Sequence, residues 1–231
     1  MLEASLVIFD CDGVLVDTEP LTNRVLAECV SEAGWAVDAA YSVEHFKGRN
    51  LADILVDVET RVGRALPGLL DEYRRRMYLE IETVGVPAVE GIHGLLDALD
   101  GLDGGPERCV ATNAPLKKAG MTLGGAGLTE RFVCRVDPGR KVMFSAYEVG
   151  KWKPDPGLFE HAAGAMGHGA GGCVVVEDSV AGVVAARRAG MRVIGLATLT
   201  PAGALAEAGA TRVVESHDEL TAELVGVGRK P

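Results

Sequence analysis

The sequence lacks most of what would commit it to an extracellular, membrane or nucleic-acid setting. Its five cysteines (Cys11, Cys29, Cys109, Cys134 and Cys173) are odd in number and scattered, with no CxxC pair. That excludes a disulfide framework or a zinc site and fits reduced thiols in a cytoplasm. No apolar run is long enough to cross a bilayer, and no signal-peptide pattern precedes the first apolar segment. The expectation is a soluble, cytoplasmic protein with no membrane partner. Positive charge is also in deficit: the formal net charge is −10, which argues against nucleic acid or an anionic lipid surface as the main partner. An anionic substrate would therefore need local help from a metal or a lysine. Ser- or Gln-rich tracts are absent too, and 48% hydrophobic residues in a 231-residue chain supply a real core. That length holds one sizeable α/β domain, or a core domain with a smaller insert.

What is present is concentrated first in residues 5–20, SLVIFDCDGVLVDTEP. The run Leu6–Val7–Ile8–Phe9 reads as the interior of a strand in a parallel sheet covered on both faces. It ends abruptly in Asp10, Cys11, Asp12 and Gly13. In extended chain Asp10 and Asp12 share a side while Cys11 turns away, and Gly13 permits a sharp exit. Two adjacent carboxylates are costly unless a cation or a proton separates them. Taken alone they read equally well as turn residues.

Residues 18–84 contain helical patterns and no convincing strand. One helix runs through Leu21, Val25, Leu26, Cys29 and Val30 to Gly34, with Asp17 or Thr18 as its N-cap. Two more cover residues 50–61 and 67–83, and Arg74–Arg75–Arg76 reads as a solvated face. From residue 87 strands and helices alternate. Strands are expected at 108–112, 142–146, 173–176, 193–196 and 212–214. Helices are expected at 91–99, 116–127, 155–166, 180–189, 200–208 and 217–224. This alternation implies βαβ units and right-handed crossovers, and ligands in such sheets sit beyond the carboxyl ends of the strands. Asp10, Thr112 and Glu177–Asp178 all fall at such ends. Converging carboxylates with no His or Cys nearby suit Mg²⁺, although an acid after a strand is also an ordinary helix N-cap. Thr112 and Asn113 open a helix that could meet a phosphate oxygen. Lys151 and Lys153 flank Trp152 in GKWKPDP, and Pro154 helps to aim Lys153.

Four motifs in this order and spacing resemble those of the haloacid dehalogenase superfamily of phosphotransferases: DCDGVLVDTEP, the strand end at Thr112, KPDP and VVVEDSVAG. The resemblance is to the subfamily with a small helical cap after the first strand and covers nearly the whole chain. FKGRN, GKWKPDPGLFEHAAGAMG and EDSVAGVVAARRAGM look most like sugar-phosphate phosphatases, including the 6-phosphogluconate phosphatase type, with β-phosphoglucomutases as near relatives. The fold it implies is α/β: a Rossmann-like parallel-sheet core from residues 1–17 and 85–231, with an inserted α-helical cap at 18–84.

The activity it implies is Mg²⁺-dependent hydrolysis of a small phosphorylated metabolite, a sugar phosphate or sugar-acid phosphate. Asp10 would attack phosphorus and form an aspartyl-phosphate. Asp12 would protonate the leaving oxygen and then activate water. Mg²⁺ would be held by Asp10, the backbone carbonyl of Asp12 and Asp178, with Glu177 a ligand or just behind one. Thr112, the Asn113 backbone and Lys153 would hold the phosphoryl oxygens. The acid at Asp12 sets aside the dehalogenase branch, whose halide leaving group needs no proton. Thr22 stands where the sugar phosphomutases carry a histidine, and Leu51 where they carry an arginine, which puts hydrolysis ahead of a β-phosphoglucomutase. A phosphate-accepting signalling module is the alternative from another class, and the helical insert and second acid argue against it. Lys47, Arg49 and Asn50 are candidates for reading a carboxylated or polyhydroxy leaving group, and read equally as exposed loop residues.

Overall fold

A computed structural model describes residues 4–46 and 49–226; Lys47 lies outside the described residues. The first strand, β1 (Leu6–Phe9), is fully buried along its length. The chain then enters a helical unit made of Thr18–Val86, containing α1 (Glu19–Ala33), α2 (Ala39–His45), α3 (Leu51–Val62) and α4 (Leu69–Thr83). From Pro87 it rejoins the unit that holds β1. There follow α5 (Ile92–Asp100), β2 (Glu107–Thr112), α6 (Leu116–Gly125), β3 (Met143–Ser145) and α7 (Ala146–Val149). The remaining elements are α8 (Gly157–Met166), β4 (Cys173–Glu177), α9 (Val180–Arg188), β5 (Arg192–Leu196), α10 (Ala202–Glu207), β6 (Arg212–Val214) and α11 (His217–Val225).

The six strands form one sheet in the order β3-β2-β1-β4-β5-β6, and every pairing is parallel. The parallel sheet is the one expected from the alternation of apolar runs and helices, and its order is the doubly wound, Rossmann-like one that the family resemblance implies. Its order reverses between β1 and β4, which opens a crevice beyond their carboxyl ends. Registers are flush there: Phe9 pairs with Val110 on one side and Val176 on the other. The strands are continuous hydrophobic runs because helices cover both faces. Phe144, Leu158, Phe159, Val175, Val183 and Leu205 belong to one buried cluster.

In the helical unit, α1 buries Val25, Leu26, Cys29 and Val30. Thr18 occupies the N-cap position of α1, but its side chain makes no capping bond. The Asn23 amide donates to the Glu19 carbonyl at 2.9 Å and to Glu19 Oε2 at 2.8 Å. It also accepts a 2.8 Å bond from Ser42. The three arginines of α4 do lie on a solvated face, paired to Asp71, Glu72 and Glu32. Among the described residues no helix is long and apolar enough to cross a membrane.

Candidate active site

Asp10 follows β1 directly, and its backbone N–H donates to the Val176 carbonyl at 3.0 Å. The end of β1 is thereby locked to β4, whose last residue is Glu177. Lys153 comes from the loop before α8 and is buried between them. Its ammonium donates to Asp10 Oδ1 at 2.5 Å, Glu177 Oε1 at 2.5 Å and the Ala111 carbonyl at 2.9 Å. An ammonium has three N–H donors, and all three are used. The other Glu177 oxygen accepts from the Ser179 backbone at 3.1 Å and hydroxyl at 2.9 Å. Ser179 in turn caps α9 by accepting from the Gly182 N–H at 3.0 Å.

Two glycines make room for the acids. A Cβ on Gly182 would lie 1.9 Å from the Glu177 carboxyl carbon, and one on Gly13 would lie 2.2 Å from Asp178 Oδ2. Gly13 also has a φ of +84°, which L-residues with a side chain rarely adopt.

Carboxylate oxygens of Asp10, Glu177 and Asp178 lie within 4.8 Å of one another. Burial pushes Asp10 up to about 7 against the pull of Lys153, helped by the charges of Glu177 and Asp12. Asp178 rises to about 8 through burial and the charges of Glu177 and Asp10. Burial works against the charge of Lys153, but Asp10 and Glu177 outweigh it and hold the ammonium protonated more firmly than usual. Three acids thus face one cation, and the cluster is short of positive charge. An all-oxygen donor set with that deficit fits a hard divalent cation such as Mg²⁺. Because both Glu177 oxygens are already hydrogen-bonded, Asp10 and Asp178 are the side chains better placed to hold it.

The other expected residues fall around this cluster. Thr112 ends β2, is buried, and accepts the Ala114 N–H on its hydroxyl at 3.0 Å. That leaves the hydroxyl proton for donation. The Asn113 side chain accepts the Lys153 backbone N–H at 3.0 Å, tying the two loops together. Asp12 is held on both carboxylate oxygens by Lys118 at 2.9 Å. Lys118 and Ser179 were not among the expected residues.

A profile of the haloacid dehalogenase-like hydrolases matches residues 4–190. The chain belongs to that family. It is 33% identical over 195 residues to the 6-phosphogluconate phosphatase of Escherichia coli K12, covering 84% of this chain and 82% of that protein. Hexitol phosphatase A of the same organism is 28% identical over 190 residues, covering 82% and 81%. Among solved structures, a HAD family hydrolase of Deinococcus radiodurans R1 with bound phosphate and sodium superposes with a TM-score of 0.80 at 31% identity. That match covers 98% of this chain and 97% of the other.

In this haloacid dehalogenase-like hydrolase the remaining candidates have local partners. Arg49 pairs with Asp57 at 2.7 Å, and Asn50 caps α3 by accepting the Ala52 N–H at 2.8 Å. Both belong to the helical unit. Lys151 is exposed and bonded to Asp155 at 3.3 Å, so of the two lysines in GKWKPDP the structure brings Lys153 to the carboxylates.

Proposed function

We propose that this hydrolase is a Mg²⁺-dependent phosphomonoesterase acting on a small polyhydroxylated phosphate ester, a sugar phosphate or sugar-acid phosphate, through an aspartyl-phosphate on Asp10. The observation that carries the reading is the buried Lys153 ammonium bridging Asp10 and Glu177 beside Asp178, at the point where the strand order reverses. Asp10 attacks phosphorus with the oxygen that Lys153 does not hold, and the bond to the leaving oxygen breaks as Asp12 gives that oxygen a proton. Asp12 then takes a proton from water, whose oxygen displaces Asp10 from phosphorus. Thr112 and the Asn113 N–H receive the charge that grows on the transferring oxygens, and the Lys153 ammonium, its three N–H groups already engaged, offsets that charge through space. Asp10, Asp178 and the Asp12 carbonyl would hold Mg²⁺, with Ser179 and Lys153 orienting Glu177 behind them. The bound ion supplies charge neutralisation that no side chain here provides.

The named activities of the Escherichia coli relatives, on 6-phosphogluconate and hexitol phosphates, support a polyol or sugar-acid leaving group. Lys47, Arg49 and Asn50 remain the proposed contacts to it. The test is phosphate release, with and without Mg²⁺, from 6-phosphogluconate, hexitol and hexose 6-phosphates, phosphoglycolate and β-glucose 1-phosphate. Mg²⁺-dependent release from a polyol or sugar-acid ester, abolished in Asp10→Asn, is the expected result. Conversion of β-glucose 1-phosphate to glucose 6-phosphate without net release would replace this reading with a mutase.

A further inference from the structure

Asp12 sits on the turn after β1, and its carboxylate is held from a distant part of the chain. Lys118, the third residue of α6, places Nζ 2.9 Å from both Oδ1 and Oδ2 across a separation of 106 positions. The Lys118 side chain is 13% exposed and that of Asp12 31%, so the lysine lies on the protein side of the pair. An aspartate has two rotatable side-chain bonds, and a single ammonium bonded to both oxygens restrains them together. A carboxylate has about four lone-pair sites. Lys118 takes two of them.

We propose that Lys118 is a positioning residue that serves the reaction only by holding the Asp12 carboxylate, without touching the phosphoryl group. The inference rests on the acid–base role given to Asp12 above. In the first half-reaction Asp12 enters protonated on one oxygen while Lys118 keeps the other; the phosphorus–oxygen bond to the alcohol breaks as the bond to Asp10 forms, and the Asp12 proton goes to the departing oxygen, leaving the carboxylate that Lys118 holds on both oxygens. In the second, Asp12 takes a proton from water as the water oxygen bonds phosphorus and the Asp10–phosphorus bond breaks. Misplacing a catalytic group by about 1 Å costs on the order of 100-fold, within the roughly 10²–10⁴-fold that a general acid contributes.

The step that needs the proton depends on the leaving group, and this supplies the test. An alkoxide leaving group requires protonation, whereas 4-nitrophenolate does not, and kcat/KM reports the first half-reaction. In Lys118→Met, kcat/KM for the best sugar or polyol phosphate should fall roughly 10- to 100-fold. For 4-nitrophenyl phosphate it should stay within about threefold, because proton donation contributes little there. Lys118→Arg, which keeps a cation on both oxygens, should restore most of the loss and serves where the Met variant does not fold. Asp12→Ala should reproduce the leaving-group dependence more strongly, and Lys118→Met should add nothing in that background. Equal losses on both esters, wild-type kinetics in Lys118→Met, or additive losses in the double variant would each overturn the proposal while leaving the role of Asp12 intact. A leaving-group-independent Asp12→Ala would overturn the role of Asp12 and this proposal with it.

Discussion

Lys153 balances two buried acids at once, so removing it has two effects that one measurement would confuse. In Lys153→Met the transferring phosphoryl group loses a stabilising cation, and Asp10 and Glu177 are left facing each other. Loss of one such electrostatic donor costs about 10²–10³ in kcat, and breaking a buried pair from one side costs about 3–5 kcal/mol of stability. Phosphate release and urea unfolding should show both losses. A variant with lowered activity but unchanged urea midpoint would mean that the ammonium is not needed to offset the acids. His217 gives a second prediction of opposite character. Its ring bonds the Val14 carbonyl at 2.9 Å, and burial lowers its affinity for protons below the ordinary 6.5. Below pH 6.5 the unfolded histidine binds a proton that the folded one resists, so this contribution to stability is present above 6.5 and lost as pH falls. Between pH 7.5 and 5.5, the gap in urea midpoint between the wild type and His217→Asn should narrow. A gap independent of pH would show that His217 titrates alike in both states.

At the scale of elements, the start of α9 links structure and chemistry through one hydroxyl. Ser179 caps the helix through Gly182 and holds Glu177, and Gly182 has no room for a Cβ against that acid. Ser179→Ala should cost about 1 kcal/mol as a lost cap and modestly weaken Mg²⁺ activation, because Glu177 loses the hydroxyl bond while Lys153 and the residue-179 N–H still hold it. An unchanged Mg²⁺ requirement together with the stability loss would confine Ser179 to the helix. The strands carrying Asp10, Thr112 and Glu177 were legible because each is an apolar run that stops at a polar residue, and a parallel sheet collects such stops on one edge. Other elements were not. α2 (Ala39–His45) buries only Ser42 and so has no apolar period to reveal it; its start is fixed by Asp38, which accepts the Tyr41 N–H at 2.8 Å. The first helix and its N-cap position at Thr18 were placed correctly, but the capping hydrogen bond expected of that side chain is not made. The partnership of Lys118 with Asp12 was out of reach because nothing local brings together residues 106 positions apart.

For the whole molecule, an acid cluster short of positive charge would tie folding to a divalent cation bound there. A ligand that binds only the folded state stabilises it by about 2.7 kcal/mol at 100 times its Kd. Mg²⁺ should raise the Tm well beyond the effect of NaCl at matched ionic strength, and Asp178→Asn should remove most of that increment. Equal effects of the two salts would assign the shift to screening of the net −10 charge. The five cysteines have a consequence of another kind. All are buried free thiols, and Cys11, between Asp10 and Asp12, is 1% exposed. Cys11, Cys109, Cys134 and Cys173 lie in the sheet unit and Cys29 in the helical unit. An alkylating reagent can therefore count openings as they occur. One adduct per chain, on Cys29, would report the helical unit breathing by itself, while modification of Cys11 would time the moments at which the end of β1 comes apart. The native chain carries its own stopwatch for each unit.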